Sequence, residues 1–187
     1  MSAITLQLET AIESITRSFR DEFGDLTSEK LNWKPRPDAW SIGQVIHHLI
    51  TVNNTYFPVA DAVRKGNYKI PFWGKSEAIA RFLGNSLLKY VGPDYKPRTK
   101  TFAVWQPSSS TIDADMVNQF VNHQSELIHF IKSCEDLVTR GVVIRSPGSR
   151  FVVYKLEKAF EIIVAHEQRH LIQARNVRHE MEILFKK

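Results

Sequence analysis

Leu156-Glu157-Lys158-Ala159-Phe160-Glu161-Ile162-Ile163-Val164-Ala165-His166-Glu167-Gln168-Arg169-His170 sets two histidines four residues apart inside a run with helical apolar spacing. At about 100° per residue, Leu156, Ala159, Ile163, Ala174, Val177 and Met181 share one stripe, and His166 and His170 fall inside it. Imidazoles at i and i+4 stand one turn apart on one side of a helix, so a single divalent ion can bridge them. Buried imidazoles cost free energy unless they hydrogen-bond or bind a metal. The pair is therefore either satisfied by polar neighbours such as Glu157 or Gln124, or it is part of a metal site.

His-Glu-x-x-His on a helix is also the signature of zinc proteases, in which the Glu activates water and a third ligand comes from elsewhere. That reading fails here. Only residues 171–187 follow His170, and they continue the helical pattern through Leu171, Ala174, Val177, Met181 and Leu184. The extended protease pattern wants Gly and His where this chain has Gln173 and Asn176. A third ligand must come from upstream.

Upstream, helical periodicity dominates. Ile4, Leu8, Ala11, Ile12, Ile15, Phe19 and Phe23 predict one amphipathic helix that Gly24 stops. Leu31 to Trp40, with Pro35 and Pro37, reads as a connector whose Trp33 and Trp40 pack on the helices. Ser41 and Gln44 form a capping box, with Trp40 and Val45 placed as a hydrophobic staple. The helix they open runs to about Lys65, with a kink expected at Pro58. Gly66 to Gly74 is a loop, and Ser76 caps a shorter helix that ends at Gly92-Pro93. Asp94 to Ser110 has no periodicity, and long loops of this kind often border sites. A helix from about Asp113 to Leu137 follows, then a turn and an extended stretch over Gly141 to Tyr154, then the last helix from Lys155. Four long helices and a short one, without alternating strands, predict an all-α four-helix bundle with long connecting loops.

At 187 residues and 43% hydrophobic composition, residues 1–187 read as one domain with one core. No apolar run approaches the ~20 residues a membrane span needs, and the N-terminus lacks a signal core, so a cytoplasmic protein is expected. Cys134 is the only cysteine, which excludes internal disulfides and thiolate-rich metal centres. The net charge of +5 is spread among acids, as at Arg17, Arg20, Asp21 and Glu22, so neither nucleic acid nor membrane is an expected partner. Tyr95-Lys96-Pro97-Arg98-Thr99-Lys100, the densest basic stretch, reads as an exposed loop.

The remaining histidines sort by angle. His47 lies opposite the apolar centre set by Ile42, Val45, Leu49 and Tyr56, whereas His48 lies at its edge and can look inward. His129 and His179 point away from their stripes, and His123 sits at an edge. His48, His166 and His170 would make a three-histidine set with an open position, an arrangement typical of catalytic zinc. Glu167, at the margin of the inward stripe, is left between a base or partner beside the metal ligands and a solvated salt bridge with an i+4 neighbour. Asn53 and Gln173 are candidates for orienting imidazoles, or else buried amides with local partners.

The block Trp40-Ser41-Ile42-Gly43-Gln44-Val45-Ile46-His47-His48-Leu49 with the preceding Leu31 to Ala39, and the distant block His166 to Ala174, together resemble the DinB-like (DinB/YfiT) superfamily of metal-binding four-helix bundles. The resemblance spans nearly the whole chain. It implies a metal triad of His48, His166 and His170, a divalent ion such as zinc or nickel, coordination positions open to water or substrate, and a homodimer. It further implies an enzyme acting on a small molecule, either a thiol S-transferase using a low-molecular-weight thiol or a hydrolase. The alternative is a non-catalytic module, either a metal-binding bundle or a stress-related binding protein, whose structural metal would be closed by a fourth ligand, His123 or Glu167.

Overall fold

The computed structural model describes residues 2–95, 101, 105–107 and 111–185. The element order is α1 (Ala3–Phe23), α2 (Ser28–Asn32), α3 (Ile42–Asn54), α4 (Phe57–Arg64), a 3-10 turn (Phe72–Lys75), α5 (Glu77–Val91), α6 (Met116–Ser133), α7 (Glu135–Thr139), β1 (Val143–Ser146), β2 (Ser149–Lys155) and α8 (Leu156–Phe185). The basic stretch at 96–100 lies outside the described residues, as does much of the 94–110 loop.

Four helices surround the core: α1 packs on α6 and α8, and α3 packs on the same two. Each buries the stripe its spacing predicts. In α1 the Ser2 hydroxyl accepts from the Thr5 amide, Leu8, Ile12, Ile15, Phe19 and Phe23 turn inward, and the Gly24 amide closes the end on the Arg20 carbonyl. Phe19 and Phe120 pack with ring centroids 4.7 Å apart, tying α1 to α6. Both are fully buried, and each stabilises the fold by about 1.5–3 kcal/mol relative to an exposed ring. The capping box at the start of α3 is complete, with Gln44 amide to Ser41 hydroxyl and Ser41 amide to Gln44 side chain both at 3.2 Å. Trp33 and Trp40 pack against the core from the connector.

Pro58 does more than kink its helix. The chain breaks at Thr55–Tyr56 and restarts as α4, with Pro58 in the first turn where its missing N–H costs nothing. The helix expected over 113–137 divides similarly at Cys134 into α6 and α7. The segment read as a turn and an extended stretch is a two-stranded antiparallel hairpin, so the bundle carries a small sheet that helical periodicity did not reveal. The hairpin is tied down by the Tyr154 hydroxyl, 3.0 Å from that of Tyr56, and by α5, which approaches closely at Gly84. A Cβ at Gly84 would stand 2.9 Å from Lys158 Cγ and Tyr154 Cβ. Among the described residues, no helix is long and apolar enough to cross a membrane.

Candidate metal centre

α3 and α8 pack face to face, and three histidines meet at their contact. His48 comes from the middle of α3, His166 and His170 from successive turns of α8. One nitrogen from each lies within 4.8 Å of the other two. His166 Nε2 is 3.4 Å from His48 Nε2 and 3.0 Å from His170 Nε2. Around a tetrahedral ion with metal–nitrogen distances of ~2.0–2.1 Å, ligand nitrogens stand ~3.3 Å apart, so the observed spacings suit one shared ion.

The far sides of two rings fix their tautomers. His48 Nδ1 lies 2.6 Å from the Trp105 carbonyl oxygen, which can only accept, so Nδ1 carries the proton and Nε2 a lone pair. His170 Nδ1 donates likewise to the Gln173 side-chain oxygen at 2.8 Å, again leaving Nε2 as an acceptor. Two Nε2 lone pairs thus face His166 Nε2, which can give a proton to one of them at most. The set is short of donors and supplied with lone pairs, which is the demand a cation meets.

Protonation does not supply the missing charge. Burial is the main cause that lowers His48 to about 4, partly offset by the Trp105 carbonyl, with His47 lowering it further. Burial first, then His48, lowers His170 to about 3. His166 is held well below the ordinary value by burial and by the other two rings. All three are neutral near pH 7, the form that ligates metal. Trp40 walls the site, stacked on His170 with centroids 6.0 Å apart and tilted on His48 at 4.9 Å.

The expected trio therefore assembles, and the other histidines stay out. His129 and His179 are exposed and His47 is half-buried. His123 is buried but stacks on Phe57 and takes no part in the group. Glu167 is not the solvated salt-bridge residue its marginal angle allowed. It is fully buried, its Oε1 accepting from Asn53 Nδ2 and its Oε2 from Gln124 Nε2, both at 2.8 Å. Burial raises it to about 7 against the pull of those two amides. Among the described residues no fourth His, Cys or carboxylate joins the three imidazoles. Sequence reasoning missed the Trp105 carbonyl, because any residue type supplies one.

The sequence matches the DinB superfamily over residues 11–174. Comparison with curated proteins gives no match. Among solved structures the fold is similar to that of YfiT from Bacillus subtilis, with a TM-score of 0.61 at 15% identity over 97% of this chain and 90% of that one. That protein is described as a probable metal-dependent hydrolase with an unusual four-helix bundle topology.

Proposed function

The chain belongs to the DinB superfamily, and from that premise we propose that His48, His166 and His170 hold one divalent ion, zinc or nickel, in a catalytic centre acting on a small molecule. The observation that carries this is the convergence of three neutral imidazoles, two of them locked with Nε2 inward, and no fourth protein ligand among the described residues. A structural site is closed by four ligands; a three-ligand site leaves room for a reacting group. The ion supplies Lewis acidity, bringing the pKa of a bound water or thiol toward neutrality.

The chain's own residues then have distinct tasks. His48 and His170 are oriented from behind by Trp105 and Gln173. Trp40 covers one side of the rings and excludes solvent from it. Glu167 does not act as the base it is in zinc proteases. A carboxylate with no exposed surface and an amide N–H on each oxygen cannot reach substrate or solvent. With the ion bound, ionising the water or thiol nucleophile would not need a protein carboxylate as base.

Protein purified without chelator is expected to carry about one zinc or nickel per chain, and His48→Ala to carry none. Loaded wild-type protein is then assayed on ester and amide substrates, and on electrophiles with a panel of low-molecular-weight thiols. Turnover without thiol marks a hydrolase, and turnover only with thiol marks an S-transferase. Metal uptake by His48→Ala equal to wild type would end the reading.

A further inference from the structure

His48 differs from the α8 pair in how it is held. His170 is oriented by a side chain of its own helix, whereas His48 leans on the backbone of a residue 57 positions away, in the long connection between α5 and α6. A backbone carbonyl in such a connection orients an imidazole only if something fixes that backbone. The structure shows what does. The Trp105 indole lies against the hairpin turn between β1 and β2, over Gly148. A Cβ at Gly148 would overlap Cη2 and Cζ3 of the indole and stand 3.0 Å from Cζ2. Gly148 does not have positive φ, unlike Gly66 and Gly141, so the backbone does not demand glycine there. The indole does.

The chain of contact runs from the turn to the ring, from the ring to its own carbonyl, and from the carbonyl to His48 Nδ1. The hairpin end of this chain is anchored: Ile144 and Tyr154 are fully buried, and the Tyr154 hydroxyl reaches Tyr56, which follows the end of α3. The downstream end of the α5–α6 connection is anchored too. Asn32 Nδ2 donates to the Ile112 carbonyl at 2.9 Å, and the Ile112 amide donates to Asn32 Oδ1 at 2.8 Å. Trp105 is thus braced by the hairpin, which gives a role to the element the helical pattern did not reveal.

We infer that Gly148 and Trp105 form a positioning device for His48: the glycine admits the indole, and the docked indole sets the carbonyl that orients the ligand. This rests on the proposed metal centre. Positioning partners of metal-ligating histidines typically contribute about 10–100-fold in metal affinity. Zinc affinity, measured by competition with a chromophoric chelator, is expected to fall by about tenfold or more in Gly148→Ala and in Trp105→Leu, with Trp105→Phe restoring most of it. The d–d absorption of the cobalt(II)-substituted protein is expected to shift in the first two variants, since it reports ligand geometry. In Gly148→Ala/Trp105→Leu the loss should not exceed that of Trp105→Leu alone, because without the indole the added Cβ has nothing to displace.

Wild-type zinc affinity and an unchanged cobalt spectrum in either single variant would overturn the inference, as would losses that add in full in the double variant. A purely structural role for the turn predicts that second pattern, with lowered thermal midpoints of the metal-free protein and an unaltered cobalt spectrum. Either single variant decides the matter if the other does not fold. His48→Ala separates the two claims: its failure to abolish metal uptake ends the metal centre itself, whereas loss in His48→Ala with none in Gly148→Ala ends only the positioning device.

Discussion

Two buried polar clusters meet on α8, and they are built to opposite ends. Around Glu167, each carboxylate oxygen accepts an amide N–H, from Asn53 on α3 and Gln124 on α6, while the side-chain oxygens of those two amides find no partner among the described residues. One residue earlier, His166 joins His48 and His170 in a cluster whose inward nitrogens, among the described residues, are answered only by each other. The first cluster knits three helices together. The second turns a nitrogen of each of three neutral rings toward one point, as a ligand site needs. Adjacent positions in one helix, about 100° apart, thus serve an internal hydrogen-bond knot and a candidate metal site.

The strongest way to break this division is to remove one residue from each side. His166→Ala is expected to reduce bound zinc from about one ion per chain to none, measured by elemental analysis after gel filtration, because the ring central to both short nitrogen contacts is gone. Glu167→Gln is expected to keep metal stoichiometry unchanged. Equal loss in both variants would mean that the two clusters are one site.

The clusters also respond to pH with opposite sign. In metal-free protein His48 and His170 are lowered from 6.5 to about 4 and about 3, so below pH 6.5 the unfolded chain binds protons that the folded chain refuses. The stability they allow is present above pH 6.5 and drains away as pH falls toward 4, at up to about 1.4 kcal/mol per pH unit for each group. Glu167, raised from 4.5 to about 7, does the reverse: the folded state resists ionisation, so stability is lost as pH rises from 4.5 through about 7. Urea titrations of metal-free wild type and Glu167→Gln from about pH 4 to 8 separate these. The difference between the two proteins should grow between pH 4.5 and about 7 in favour of Gln and then level off.

How much of this contrast the sequence displays depends on whether the information is local. The Ser41–Gln44 capping box and the i, i+4 spacing of His166 and His170 are complete within a few residues, and both take the expected form. His48 was distinguishable from His47 by angle alone, because one helix face is enough to define inside. The hairpin was also written locally, as two β-branched runs around Pro147-Gly148, but period-3.6 counting passes over a period-2 signal. Glu167 was not decidable, since its burial depends on where Asn53 and Gln124 arrive from two other helices. The membership of Trp105 was less accessible still, because its contribution is a carbonyl every residue possesses.

A finer test of the carboxylate cluster removes one donor without touching the three histidines. Gln124→Met keeps the side-chain length and apolar stem but takes away the N–H that serves Glu167 Oε2. A hydrogen bond to a buried charged acceptor is worth about 1.5–3 kcal/mol, so the unfolding free energy near pH ~8 should fall by about that much. At about pH 5, where Glu167 is largely protonated, the cost should shrink. Zinc affinity should be unmoved. A variant that loses affinity while keeping stability would place Gln124 in the wrong cluster.

The smallest expected effect is on the other side, at Gln173. Its oxygen accepts from His170 Nδ1, and Gln173→Ala leaves that N–H without its partner. Gln173 is half-buried and sits one turn beyond its histidine on the same helix, so water can take the vacated place at little cost. The Trp105 carbonyl is supplied across the fold and braced by the hairpin, which water cannot imitate. Zinc affinity should therefore fall by about tenfold in Gln173→Ala, the low end for a residue that orients a metal-bound imidazole, and by less than in Trp105→Leu. Chelator competition on the two variants side by side ranks them. The reverse order would mean that α8 carries the precision of the site and α3 follows it.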